Sequence, residues 1–175
     1  MAKGIDIRTR GSGNIGATNV FRVIGTIPGL LSFFLDFLKG FIPFYLGLKY
    51  FHINESHLLL LSSFAIVGHD FSPFLKFKGG KGVATTFGLI TAFNLQLAIY
   101  VLLVWVISLI ISGYVSLASI ISYISVPVFI SIFSPSISNI AFGLIFGFLG
   151  LIRHNQNIKR LRSGEEHKML KILKK

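Results

Sequence analysis

"GVATTFGLITAFNLQLAIYVLLVWVISLIISGYVSLASIISYISVPVFISIFSPSISNIAFGLIFGFLGLI", residues 82–152, contains no Asp, Glu, Lys or Arg. A helix of a water-soluble domain carries charge on its outer face. An uncharged run of this length has to face hydrocarbon, where each crossing takes roughly 20 apolar residues. The rest of the chain agrees: 53% of its 175 residues are apolar and 13% charged, against roughly 45–50% apolar in soluble domains. Mean hydropathy is +0.75. The class is therefore all-α, a polytopic transmembrane helical bundle forming a single integral membrane domain over residues 1–175. Cysteine is absent, which excludes disulfides and a thiolate nucleophile. The first residues, "MAKGIDIRTRGSG", are basic with no apolar stretch behind them, unlike a signal peptide.

Apolar blocks run from about Ile24 to Tyr50, Leu58 to His69, Val83 to Ser112, Val115 to Phe133 and Ile137 to Ile152. Gly40 and Pro43 are expected to bend or break the first of them. Asp36 and Lys39 in that block lie three apart, share a helical face and can form a structural ion pair in the bundle interior.

All but Lys39 and Lys49 of the 17 Lys and Arg residues fall in three clusters. Lys3, Arg8, Arg10 and Arg22 form the first, and Lys76, Lys78 and Lys81 the second. The third holds Arg153, Lys159, Arg160, Arg162, Lys168, Lys171, Lys174 and Lys175. Short Lys/Arg-rich segments stay cytoplasmic, so all three are expected on that face. An even number of crossings must then separate each cluster from the next. Two blocks separate the first pair, but three separate the second. The breaks at "SGYVSLAS" (112–119) and "SPS" (134–136), with the short last block, point to a short or re-entrant helix or a block that splits. Attraction to anionic lipid accounts for the basic tail without a nucleic-acid partner.

Three polar segments accompany the clusters. "GSGNIGATNVFR" (11–22) is a turn-rich loop full of hydrogen-bonding side chains. No strand precedes it, so it is no dinucleotide fingerprint. "GHDFSPFLKFKGGKGVAT" (68–85) joins lysines to glycines whose amides can approach an anion closely. It is not a Walker A loop, because Lys81 is followed by Gly82 rather than Ser or Thr. "RHNQNIKRLRSGEE" (153–166) offers Arg153, His154, Asn157 and a carboxylate pair. Each has a plain structural reading, such as an interfacial histidine or a capping asparagine. Three such loops on one membrane face favour a shared anion site.

These segments, with "LDFLKG" (35–40) and "SGYVSLAS", resemble in order and spacing the signature regions of the bacterial acyl-phosphate:glycerol-3-phosphate acyltransferases, the PlsY family. The likeness extends over essentially the whole chain. It implies a helical bundle in the bacterial inner membrane with three cytoplasmic motifs: about 1–22, 68–88, and 153–175 with its basic tail. Family members usually carry a further apolar span before the "GIDIR" region, so a first span is expected to be missing from this sequence.

The resemblance implies transfer of a fatty acyl group from acyl phosphate to the 1-hydroxyl of glycerol 3-phosphate, giving lysophosphatidic acid and phosphate. No metal, coenzyme A or other cofactor is called for. Carried over by motif, Ser12, Gly13, Asn14, Thr18, Asn19 and Arg22 would bind and polarise the acyl phosphate. His69, Lys78, Gly79, Gly80, Lys81 and Gly82 would cradle glycerol 3-phosphate, with Arg153 as a further counter-charge. His154 and Asn157 would orient the attacking hydroxyl, and Glu166 would be structural. Ser12, Arg22, His154 and Asn157 are thus the expected catalytic group. The proton acceptor is open between His154 and a substrate phosphate oxygen, and acylation of Ser12 is a further route. Two readings from other classes are an anion-selective transporter of phosphorylated metabolites and a non-catalytic membrane scaffold. The uncharged run leaves no intramembrane charges to line a transport path.

Overall fold

The computed structural model describes residues 4–51 and 53–169. The described residues form eight α-helices: α1 Ala17–Val23, α2 Thr26–Tyr50, α3 Glu55–Asp70, α4 Val83–Phe93, α5 Leu95–Ser112, α6 Val115–Phe133, α7 Ile137–Arg153 and α8 Asn155–Arg162. Three of them, α2, α5 and α6, are long and apolar enough to cross a bilayer, as is α3 together with the short turn that continues it to Leu75, and α7 with α8 makes a fifth unit bent by 56°. The outward faces carry bare hydrocarbon such as Phe34, Phe64, Ile110 and Phe148, as lipid contact requires.

The fold departs from the block reading at Val83–Ser112. Val83–Ser112 is two helices meeting at Asn94, whose extended backbone ends α4 and whose Oδ1 accepts the Leu97 amide at the start of α5. At 11 residues, α4 is only about 16 Å long. Its direction follows that of α2, with the Phe37 ring tilted against Phe87 and Phe44 edge-on to Phe93. Then α5 turns back. Asn94 Nδ2 donates to Ser134 Oγ at the end of α6, while Trp105 near the other end of α5 donates to Ser119 near the start of α6. Splitting this block restores an even number of passages between the second and third basic clusters. "SGYVSLAS" and "SPS", expected to hold the irregularity, are tight connections. Gly113 makes the first of these turns with φ +75°.

Gly40 and Pro43 do not break α2, which continues from Thr26 to Tyr50. Gly40 is a contact point instead. A Cβ there would collide with the Thr85 carbonyl, and one on Gly88 with the Phe37 carbonyl. The missing methyls let α2 and α4 touch backbone to backbone, a packing mode favoured in lipid, where dispersion replaces the hydrophobic effect. On the other side of the bundle, Gly143 lies against Pro127 and Gly147 against the Tyr123 carbonyl, closing α7 onto α6. Phe44, Leu59, Ile66, Leu89, Leu97, Ile130 and Phe142 fill the centre.

At the end remote from the basic loops, Asn139 closes a polar knot. Its Nδ2 donates to the Ser134 carbonyl at 3.1 Å and its Oδ1 accepts from Ser56 Oγ at 3.0 Å. This architecture puts both termini of the described chain at one end of the bundle. With no native cysteine present, single cysteines report it. Thr9→Cys and Ser163→Cys should react with an impermeant thiol reagent from the same side of a sealed vesicle, and Glu55→Cys only from the other. Reaction of residues 9 and 163 from opposite sides would mean an odd number of passages.

Candidate active site

The loop at 11–16 is held down by Asn19, from the first turn of α1. Its Nδ2 donates to the carbonyls of Ile7 and Arg10 at 3.0 and 3.1 Å, and its Oδ1 accepts the Ser12 amide at 2.9 Å. With both halves of its amide engaged and the residue buried, Asn19 builds the loop rather than gripping an acyl phosphate. Asn14 uses Oδ1 on the Gly16 amide. Gly13 turns the loop at φ +71° and donates to the Arg10 carbonyl. Ser12, Asn14, Thr18 and Arg22 line a cavity of about 380 Å³.

The glycine–lysine loop departs from the expected cradle. The amides of Gly79 and Gly80 donate to the carbonyls of Asp70 and His69 at the end of α3, so they are not free for an anion. Their carbonyls accept from Arg153: Nη2 to Gly79 at 3.1 Å and Nη2 and Nε to Gly80 at 2.6 and 3.1 Å. The guanidinium also lies 4.8 Å over the Phe71 ring, and its Nε lies 3.8 Å from Asp70. Arg153 is therefore a clasp between α7 and this loop, not a counter-charge in the cavity. The glycines are needed for contact. A Cβ on Gly79 would strike the His69 carbonyl, and one on Gly80 the His69 Nε2. Lys78 is exposed and outside the cavity. Gly82 starts α4 with φ +69°, a backbone that favours glycine.

Lys81 does enter the cavity. Its Nζ donates to Asn157 Oδ1, Asn157 Nδ2 donates to Glu166 Oε1 at 3.0 Å, and Arg160 Nε donates to Glu166 Oε2 at 2.8 Å. Asn157, expected to orient a hydroxyl, instead aims the lysine. Glu166 is thereby held by both Asn157 and Arg160. Burial alone would raise its pKa, but the hydrogen bonds from Arg160 and Asn157 outweigh burial and hold it below its ordinary value. Burial, reinforced by the cations Arg160, Arg153 and Arg22 against the opposing pull of Glu166, pushes Lys81 down to about 8. Arg22 is lowered as well, mainly by burial, and its Nε is enclosed without a hydrogen-bond partner among the described residues.

His154, 2% exposed, lies between α7 and α8 with Nδ1 2.8 Å from the Gly150 carbonyl. A carbonyl only accepts, so Nδ1 carries the proton and Nε2 is a bare acceptor. Burial, with Lys81 nearby, pushes its pKa down to about 4, so the ring is neutral at physiological pH. On the opposite wall, Asp36 pairs with Lys39 at 2.7 Å as expected and also lies 3.4 Å from His69 Nδ1. Asp36 and His69 both line the cavity. Two residues were missed from the sequence, Asp70 and Tyr123. Asp70 is buried beneath the loop, and the Tyr123 hydroxyl donates to the Lys81 carbonyl at 2.9 Å. Only the motif position of Asp70 beside His69 could have drawn attention to it.

The cavity is two-ended. Ser12, Arg22, Lys81, His154 and Asn157 make a cationic, hydrogen-bonding end. Phe33, Phe87, Ile90, Val101, Trp105 and Val126 make an apolar one between α2, α4, α5 and α6. That combination fits a molecule with an anionic head and a hydrocarbon tail. No three His, Asp or Glu side chains among the described residues converge in a way that could hold a metal ion. Two cations this poorly solvated bind anions with a pH dependence set by the lysine. Below pH about 8 Lys81 is charged, and above it the charge is lost. Affinity for inorganic phosphate should therefore fall as pH rises through about 8. Lys81→Arg, charged throughout, should remove that step, and a pH step kept in the arginine variant would contradict the assignment.

The family model for glycerol-3-phosphate acyltransferase matches residues 1–164. The glycerol-3-phosphate acyltransferase of Aquifex aeolicus is 43% identical over 166 residues, which are 95% of this chain and 86% of that protein. That of Carboxydothermus hydrogenoformans is 42% identical, over 95% of this chain and 84% of that one. The crystal structure of PlsY, an integral membrane glycerol 3-phosphate acyltransferase, in its glycerol 3-phosphate form superposes with a TM-score of 0.91. It is 42% identical and covers 98% of this chain and 86% of that one. Its lysophosphatidic acid form gives 0.86 at 41% identity, over 94% and 85%. The chain belongs to the glycerol-3-phosphate acyltransferase family.

Proposed function

We propose that this protein transfers a fatty acyl group from acyl phosphate to the 1-hydroxyl of glycerol 3-phosphate, forming lysophosphatidic acid and phosphate in phospholipid synthesis. The observation that carries the reading is the pairing of Arg22 and Lys81, both desolvated, at the polar end of a cavity whose other end is hydrocarbon. Both substrates bear phosphate and one bears a chain, and the two ends suit them. The named relatives catalyse acyl transfer to glycerol 3-phosphate, and one is described with glycerol 3-phosphate and with lysophosphatidic acid. The site faces the cytoplasm of a bacterial inner membrane, because the basic loops surround it.

Acyl phosphate is a mixed anhydride, already activated, so direct attack suffices. In this reading the neutral His154 Nε2 accepts a hydrogen bond from the 1-hydroxyl and aims its oxygen at the acyl carbon. The new ester C–O bond forms as the bond from acyl carbon to phosphate oxygen breaks. The hydroxyl proton passes by way of Nε2 to an oxygen of the departing phosphate, since an imidazole with a pKa of about 4 is too weak a base to keep it. Ser12 and Arg22 stabilise charge gathering on the leaving phosphate and on the acyl oxygen, while Lys81 holds the phosphate of glycerol 3-phosphate. Ser12 acting as a nucleophile is disfavoured, because no base is hydrogen-bonded to its hydroxyl among the described residues.

The direct test supplies purified protein in lipid with acyl phosphate and labelled glycerol 3-phosphate. Labelled lysophosphatidic acid should form, without coenzyme A and undiminished by a chelator. Equal turnover of acyl-coenzyme A, or loss of activity with the chelator, would defeat the donor assignment. Gly80→Ala should raise the Michaelis constant for glycerol 3-phosphate by roughly tenfold or more, equivalent to about 1.4 kcal/mol. Its effect comes from pushing His69 and the Lys81 loop apart, and the acyl-phosphate constant should change little. Unaltered constants in folded Gly80→Ala would show that this loop merely packs.

A further inference from the structure

We propose that Tyr123, outside all three signature segments, is the positioning residue that holds Lys81 and His154 at a fixed separation. This inference rests on the acyltransfer reading above. Tyr123 sits eight residues into α6, about 12 Å along it, and is 5% exposed. Its hydroxyl donates to the Lys81 carbonyl at 2.9 Å and lies 3.2 Å from Thr86 Oγ1. A trans peptide holds its C=O and N–H on opposite sides. A donor fixed on the Lys81 carbonyl therefore also sets the direction of the Gly82 amide, which makes no hydrogen bond among the described residues.

The other side of the ring reaches α7. A Cβ on Gly150 would collide with the ring carbons of Tyr123, so the ring lies flat on the backbone at that glycine. The Gly150 carbonyl is the acceptor of His154 Nδ1, and the two rings stand 5.9 Å apart. One side chain thus touches the peptide that carries Lys81 and the residue that sets the tautomer of His154. Arg153 joins the same loop and helix on the surface side, through Gly79 and Gly80. Tyr123 joins them from within the bundle. Without its hydroxyl the loop keeps the Arg153 clasp but loses the contact nearest the lysine.

Tyr123→Phe retains the ring and removes only the donor. In folded, quantified protein it should raise the Michaelis constant for glycerol 3-phosphate by about tenfold while leaving the acyl-phosphate constant within about twofold. The alkaline limb of kcat/KM, set by Lys81, should also move, because the lysine no longer keeps the same distance from its neighbouring cations. Gly150→Ala tests the same strut from its other side, since the added methyl displaces the ring, and should give the same split. A glycerol 3-phosphate constant and a pH limb that both stay at wild-type values in either folded variant would overturn the proposal. A wild-type protein that makes no lysophosphatidic acid would sink the acyltransfer reading instead. The strut would then be judged on inorganic phosphate affinity, which Tyr123→Phe should lower by a similar factor, and an unchanged affinity would overturn it.

Discussion

The guanidinium of Arg153 on the carbonyls of Gly79 and Gly80 is the contact on which the polar end of the bundle depends. It ties the end of α7 to the loop before α4, segments more than seventy residues apart in the chain. Glycine is required on the loop side because His69 occupies the space of any Cβ. A planar, multiply donating cation is required on the helix side, since only a fork can reach two successive carbonyls at once. Once this contact forms, Lys81 is carried beneath the loop to Asn157, and His154, next in sequence to Arg153, follows into the cavity. The expensive step is the burial of Lys81 among other cations. The chain Asn157–Glu166–Arg160 compensates by giving the ammonium an oxygen and returning one carboxylate to the neighbourhood.

This arrangement separates groups that hold the site from groups left over for ligand. Asn19, Arg153, Asn157 and Glu166 are saturated by protein partners. The Arg22 Nε is enclosed with no hydrogen-bond partner among the described residues, and the His154 Nε2 is left as an acceptor because Nδ1 holds the proton. Buried polar atoms without partners are rare in folded proteins, and here Arg22 lines a cavity that also has a hydrocarbon end. Preorganisation of this kind suits an acyl transfer in which the donor is already activated, because the protein then has only to position two anions and stabilise shifting charge.

The membrane class, the paired Asp36 and Lys39, and the convergence of three polar loops were legible from charge placement alone. A run that excludes charge can only face lipid, and like-signed loops share a side. The split at Asn94 was not seen. Gly113 and Pro135 are the louder breaks in the sequence, yet an asparagine between two apolar helices is a capping signal as real as a glycine turn. The division of labour inside the motifs was also hidden. Asn19 and Arg153 look like ligand-binding residues in sequence, and only the folded chain shows their partners to be backbone groups. Tyr123 carried no signal, since an aromatic in an apolar helix ordinarily packs, and its partner lies 42 residues away.

The most direct measurement is the structure of this protein with glycerol 3-phosphate bound. The account places its phosphate within hydrogen-bonding distance of Lys81 Nζ, with its 1-hydroxyl towards His154 Nε2 and Arg153 still clasped on Gly79 and Gly80. A phosphate held instead by Arg153 and the amides of Gly79 and Gly80, with their present bonds broken, would contradict it.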